Sequence, residues 1–155
     1  VHDSPMGTYM HGSTFGGHPV ATAVAVANMS AMRDEGLTEH VLANEAGMAE
    51  SLAKLADVHP CVKEVRGSGF FYAIDLCADR EAGRELSPDQ EAGLRGGVLG
   101  GFVREQRMTI RPDDRGYTGL TISPPLIADG TVVEDLVDRT DRVLERTGAW
   151  LSEIA

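Results

Sequence analysis

Residues 11–34 read HGSTFGGHPVATAVAVANMSAMRD, and the change of character inside this stretch orders what lies on either side of it. As far as Gly17 the residues are glycine or polar apart from Phe15, with no apolar period, which is loop chemistry. Pro19 then suits the first helical position, where its missing N–H costs nothing. The Ala/Val run through Met32 is apolar on nearly all sides, as expected of a buried helix, and Gly36 is placed to end it. The backbone N–H groups at such a helix start are unpaired and the helix dipole favours an anion there. Thr14 adds a hydroxyl that can bond a phosphate. Local chemistry leaves two readings open: an anion-binding loop, or a glycine-rich connection in which Thr14 caps its own backbone.

Downstream, Thr38 can cap a second helix whose Val41, Met48, Leu52 and Leu55 share one face, and His59-Pro60 stops it. Two strand-like runs follow at 62–65 and 70–76, joined by Arg66-Gly67-Ser68-Gly69. In the second, Phe71, Ala73 and Asp75 alternate with Phe70, Tyr72, Ile74 and Leu76, giving a sheet with one wetter face. Residues 79–86 are charged and read as surface loop. Ser87, Pro88 and Gln90 supply a cap, a first-turn proline and a capping-box partner for a helix to about residue 106, weakened at Gly96-Gly97 and Gly100-Gly101. Strands at 108–111 and 119–123 flank a polar turn at 113–117, and Pro124-Pro125 ends the second. A last amphipathic helix over 131–147 places Val133, Leu136, Val137, Thr140, Val143 and Leu144 on one side. The pattern predicts an α/β (α+β) architecture: a loop and a long helix in residues 1–36, which end a larger domain and lead out of it, then a small domain in 37–155 with a short antiparallel-rich sheet covered by helices.

Bulk properties exclude several functions. The chain of 155 residues has a formal net charge of −10, which repels nucleic acid and anionic membranes. No run approaches the length of a membrane span. Two cysteines, Cys61 and Cys77, without CxxC spacing fit a reducing cytoplasm. The five histidines form no HExxH or other ligand pair, so no metal site is expected. His18 caps or packs at the helix start, and His40 and His59 are expected at the surface. No GxSxG elbow is present, and Arg66–Phe70 lacks the GK[ST] ending of a phosphate loop.

Four segments together carry a resemblance. His11–Pro19 resembles the HG-x-T-[FY]-x-GHP motif of the class III aminotransferases, the ornithine and ω-amino-acid transaminase family. Val20–Asn28 resembles that family's Ala-rich helix, Val65–Phe70 its V-R-G-x-G-[LF] turn, and Ser123–Ile127 its s-P-P-L-I. All four occur in the family's order with fitting gaps.

The resemblance implies a fold-type I enzyme that uses pyridoxal 5'-phosphate, working as a homodimer with active sites at the subunit interface. Its reaction moves an amino group between a small-molecule donor and a keto acid or aldehyde acceptor. By the same resemblance Thr14 bonds the cofactor phosphate of the opposite subunit, helped by the backbone of Ser13. Arg111 matches a position that binds the substrate carboxylate, for which a planar guanidinium fork is apt. The loop 113–117 looks longer than in the family, which makes Arg115 a rival. The family's cofactor-bearing lysine and the acid facing the pyridine nitrogen lie upstream of the threonine motif. Lys54 and Lys63 lack that lysine's context, so no catalytic residue is expected here and the isolated chain is expected to be inactive. An opening on Val1 in loop-like sequence reads as a piece entered mid-chain. Two other readings stand beside this one: an aminomutase of glutamate-1-semialdehyde type, and a non-catalytic interaction module derived from an aminotransferase.

Overall fold

The computed structural model describes residues 12–113 and 117–154, with the backbone alone at Arg111 and Asp113. The chain divides into two compact units, Val1–Leu37 and Thr38–Ala155.

The first unit is built on α1 (Pro19–Asp34), which starts with proline at its first turn as the sequence dictates. It ends at Gly36, whose φ of 63° is the left-handed geometry glycine takes without a Cβ clash. No residue of α1 is buried. Val20, Val24, Val26 and Met29 are 62–69% exposed although they ring the helix. That is the surface of a core helix, not of a solvated one.

The second unit runs α2 (Leu37–Val58), β1 (Val62–Ser68), β2 (Phe71–Leu76), α3 (Pro88–Gly93), a π-helical turn (Leu94–Val98), α4 (Leu99–Glu105), β3 (Arg111–Asp113), β4 (Gly119–Ile122) and α5 (Gly130–Glu153). The four strands lie in the order β1-β2-β4-β3, every pair antiparallel. Register sorts the side chains into two faces, because residues directly opposite in a ladder point the same way. The rows Val65–Ile74–Leu120–Pro112 and Gly67–Tyr72–Ile122 form the inner face. There Ile74, Leu120 and Ile122 are fully buried against Met48 and Leu52 of α2, Leu94, Leu99, and Val143 and Leu144 of α5. The row Arg66–Ala73–Thr121 belongs to the other face, the wetter one that the alternation in β2 predicts. Gly119 is obligatory in this sheet: a Cβ there would meet the Ile74 carbonyl oxygen at 2.2 Å.

Local chemistry explains the element ends. At the β1–β2 hairpin the closing pair is Ser68 and Phe71, leaving Gly69-Phe70 as a two-residue loop. Gly69 has φ 58°, the glycine-first arrangement of a type II′ turn. The loop is therefore narrower than the expected Arg66–Gly69 turn, and β1 runs three residues further than its apolar stretch. Phe70 is freed from the strand and buried at 4% exposure, edge-on to His40 with ring centroids 6.3 Å apart. Ser87 and Gln90 form the full capping box of α3.

The helix that follows is not continuous to residue 106. It passes through the π turn, where Gly97 has φ 127°, and restarts as α4. Its exit is a Schellman motif: Arg107 N–H donates to Arg104 O at 2.9 Å and Met108 N–H to Val103 O at 3.3 Å. Arg107 takes the left-handed position with φ 54°. That exit consumes Met108, so β3 begins at Arg111 instead of at 108.

α5 extends from Gly130 to Glu153, beyond the expected 131–147, because Thr147 and Leu151 continue its buried stripe. The two buried threonines on it, Thr140 and Thr147, are satisfied by donating to Leu136 O and Val143 O at 2.8 Å each. His40 and His59 are not surface residues. His40 Nε2 donates to Ala128 O at 2.8 Å, and His59 Nε2 lies 2.6 Å from Asp141 Oδ1 with its side chain only 11% exposed. Both histidines tie α2 to the α5 region, which the sequence alone does not reveal.

Candidate cofactor and substrate site

In the first unit the motif loop folds as two consecutive turns: Gly16 N–H donates to Ser13 O at 3.0 Å and His18 N–H to Phe15 O at 3.1 Å. A Cβ on Gly16 would lie 3.2 Å from Ser13 O, and Gly17 has φ 79°. Both positions favour glycine. Ser13 and Thr14 are exposed at the outside of this loop, immediately ahead of the start of α1. His18 occupies the N-cap position but makes no side-chain cap bond; its ring instead meets Phe15 edge-on at 6.1 Å. Since Pro19 has no N–H and the cap offers no side-chain acceptor, the helix start faces the loop with its positive dipole end uncapped by side chain. The Thr22 hydroxyl turns back to Pro19 O at 2.9 Å. His11, the first residue of the motif, lies outside the described residues.

In the second unit Arg111 opens β3 opposite Thr121; Arg115, its rival, lies outside the described residues. Pro112 sits beneath Gly100 of α4, where an added Cβ would be 3.8 Å from the proline Cγ. The Ser123-Pro124-Pro125 segment lines a cavity of about 370 Å³ with Arg107, Ile110 and Arg139. Arg139 is committed there, donating to Asp135 Oδ2 and to Gln106 O at 2.8 Å each.

The sequence reading missed a cluster on the wetter face. Arg66 of β1 donates from Nη2 to both Asp75 carboxylate oxygens at 3.0 and 3.1 Å, and from Nε to Oδ2 at 3.3 Å. The same guanidinium lies over the Tyr117 ring, 4.7 Å from its centroid. The hydrogen bonds it donates to Asp75, then the charge of that carboxylate, push the Arg66 pKa up. Thr118, the next residue, is buried; its hydroxyl accepts from Arg95 Nε at 2.8 Å and its carbonyl from Leu76 N–H at 2.9 Å. Arg66 and Asp75 stand nine residues apart, and only the diagonal register of the β1–β2 ladder brings them together.

Both lysines are engaged in ion pairs at the surface. Lys63 donates to Glu85 Oε1 at 2.5 Å, and that bond raises its pKa. Lys54 is exposed on α2 and pairs with Glu50 at 2.8 Å. Cys61 and Cys77 are free and buried; burial, then the neighbouring Cys77, pushes the Cys61 thiol up to about 11. Among the described residues no cluster of His, Cys, Asp or Glu could hold a metal ion, and no helix is long and apolar enough to cross a membrane.

Comparison with known proteins identifies the family. Residues 2–112 match the class-III aminotransferase family. The chain belongs to that family. It is 36% identical over 140 residues to a probable aminotransferase of Mycobacterium tuberculosis, covering 90% of this chain and 30% of that protein. It is 34% identical over 146 residues to a putrescine–pyruvate aminotransferase of Pseudomonas aeruginosa, covering 92% of this chain and 30% of that protein. The crystal structure of an ω-transaminase from Pseudomonas jessenii in complex with PMP superposes with a TM-score of 0.74 at 34% identity, over 92% of this chain and 30% of that one. The chain therefore spans about 30% of the length of the relatives it matches.

Proposed function

We propose that this chain is the C-terminal portion of a pyridoxal-phosphate-dependent aminotransferase, which moves an amino group from a small amine donor to a keto acid or aldehyde acceptor. The observation that carries the reading is the Ser13–Gly17 double turn set against a helix start that has no side-chain cap, within a chain of the class-III family. A phosphate suits that place: exposed backbone and hydroxyl donors, a glycine-lined approach and a positive dipole end. Residues 1–36 would close the large cofactor domain and residues 37–155 form the small domain. All-round apolarity of an exposed α1 supports the idea that it is built to be covered by more protein. The relatives named above are aminotransferases, which does not favour an aminomutase.

When bound, the cofactor supplies an electron sink for the substrate's α-carbon. What this chain contributes is positioning. The Thr14 hydroxyl and Ser13 backbone hold the phosphate of the opposite subunit in a homodimer. Arg111, or Arg115, receives the acceptor's carboxylate and so ranks keto acids above neutral acceptors. Both lysines are engaged in surface ion pairs, with Glu50 and Glu85, and neither has the context of the family's cofactor-bearing lysine, so the chain alone is inert. A reducing cytoplasm suits its two unpaired thiols.

The test uses the full-length protein. Thr14→Val removes the hydroxyl and keeps the shape, and should weaken cofactor binding by about 1–3 kcal/mol without lowering thermal stability. Mixing Thr14→Val subunits with subunits lacking the catalytic lysine then decides the geometry. If the contact crosses the interface, the lysine-bearing site of the heterodimer keeps an intact Thr14 and wild-type affinity. An affinity at that site equal to the Thr14→Val homodimer places the contact within one subunit, and no change in either experiment returns Thr14 to shaping its own loop.

A further inference from the structure

We infer that Arg66 is a positioning residue for acceptor selectivity: with Asp75 and Tyr117 it fixes the end of the β3–β4 hairpin whose other strand begins with Arg111. The inference rests on the proposed reading of Arg111, or Arg115, as the carboxylate-binding group. Arg66 itself is not that group. Its Nη2 and Nε are engaged by Asp75, whose side chain is only 15% exposed, and one face of its guanidinium is covered by the Tyr117 ring.

The cluster's position gives it leverage. Tyr117 and Thr118 lead into β4, and they are held from three directions: by Arg66 on β1, by Leu76 N–H at the end of β2, and by Arg95 on the π turn. From Thr118 the chain enters β4, and β4 alone sets the register of the three-residue edge strand β3, through Gly119–Asp113, Leu120–Pro112 and Thr121–Arg111. An edge strand this short holds its place only as well as its single neighbour does. Of the three anchors, Leu76 and Arg95 fix Thr118, while Arg66 fixes Tyr117, two residues ahead of β4. An arginine is needed because one flat group must offer a bidentate edge to Asp75 and a face to Tyr117 at once; lysine has the charge but neither the fork nor the plane.

The experiment uses the full-length, cofactor-loaded enzyme with one amine donor and two acceptors, pyruvate and butanal. Arg66→Lys and Tyr117→Leu should each lower kcat/KM for pyruvate about three- to tenfold, mainly through KM, with butanal changed less than twofold. The charge-balanced double variant Arg66→Met with Asp75→Asn should behave like Arg66→Lys. Independently of turnover, amide exchange at Gly119–Thr121 should speed up in Arg66→Lys. Equal losses for the two acceptors, recovery in the double variant, or unchanged exchange overturns the inference. Arg111→Ala and Arg115→Ala serve as controls. If neither separates pyruvate from butanal, the carboxylate reading falls and takes this inference with it. If one of them does and Arg66→Lys does not, the inference alone falls.

Discussion

Gly93→Ala should destabilise this protein even though alanine is the better helix former, and the sign should reverse once Trp150 is shortened. Gly93 ends α3 with φ −64° and ψ −50°, ordinary right-handed helix that alanine accepts without strain. Propensity and the lower entropy of the unfolded chain favour alanine there by about 0.5–1 kcal/mol. Packing opposes it. A Cβ on residue 93 would stand 2.6 and 2.7 Å from two ring carbons of Trp150, whereas carbon contacts settle at about 3.5–4.0 Å. The indole must retreat by about 1 Å, and it is wedged against the core cluster. Overpacking of that kind costs about 1–3 kcal/mol, so the net expectation is a loss of about 0.5–2 kcal/mol. In a Trp150→Leu background the clash is gone and Gly93→Ala should gain about 0.5–1 kcal/mol. The coupling between the two sites would then be about 1–3 kcal/mol. Urea unfolding followed by far-UV circular dichroism measures all four corners of the cycle; fluorescence does not serve, because the sole tryptophan of this chain is Trp150 itself. The reasoning is refuted if Gly93→Ala stabilises the wild-type protein, or shifts stability equally in both backgrounds.

Three further outcomes follow from the same geometry. Arg107→Val should be less stable than Arg107→Gly by about 2 kcal/mol, read from urea midpoints, because Arg107 holds the left-handed position of a Schellman motif at φ 54°. The Cys61 thiol, pushed up to about 11 from 9.0 by burial, keeps its proton in the folded chain where the unfolded chain loses it. Its contribution is therefore complete below pH 9 and lost as pH rises toward 11; Cys61→Ala should flatten that decline, and wild type titrated with a thiol reagent at pH 8 should react at Cys61 only after denaturant is added. The isolated chain mixed with pyridoxal phosphate and reduced with borohydride should show no saturable one-to-one adduct by mass; an adduct removed by Lys54→Arg or Lys63→Arg would contradict the expected inactivity.

What the sequence disclosed and what it withheld divide along a physical line. Features set by the next few residues were legible: proline opening α1, glycine ending it, the Ser87–Gln90 capping box, the stripe of α5, and the alternation that gives β2 one wet face. Strand ends were less so. The turn expected at Arg66–Gly69 lies at Gly69-Phe70, because a type II′ loop needs only two residues and leaves Gly67 inside the ladder opposite Tyr72. β3 begins late because the helix before it leaves through a Schellman motif that an arginine, not a glycine, occupies. Nothing in the composition of that stretch signals a left-handed residue there.

The candidate site shows the same division. Ser13 and Thr14 belong to a contiguous segment, so their role is carried by neighbours in the chain, and resemblance to a family finds them at once. Arg66, Asp75 and Tyr117 meet only because three strands adopt one register. Slipping β1 by a single residue would send Arg66 to the inner face, among Ile74 and Leu120, and break the pair with Asp75. A buried guanidinium there would be far costlier than an exposed one, so the apolar inner rows enforce the register that assembles the polar cluster outside. The core face and the wet face are thus one specification: the alternation in β2 that buries Tyr72 and Ile74 also aligns Arg66 with Asp75. A motif search sees neither, because the residues that select the register are ordinary apolar ones scattered along β1, β2 and β4.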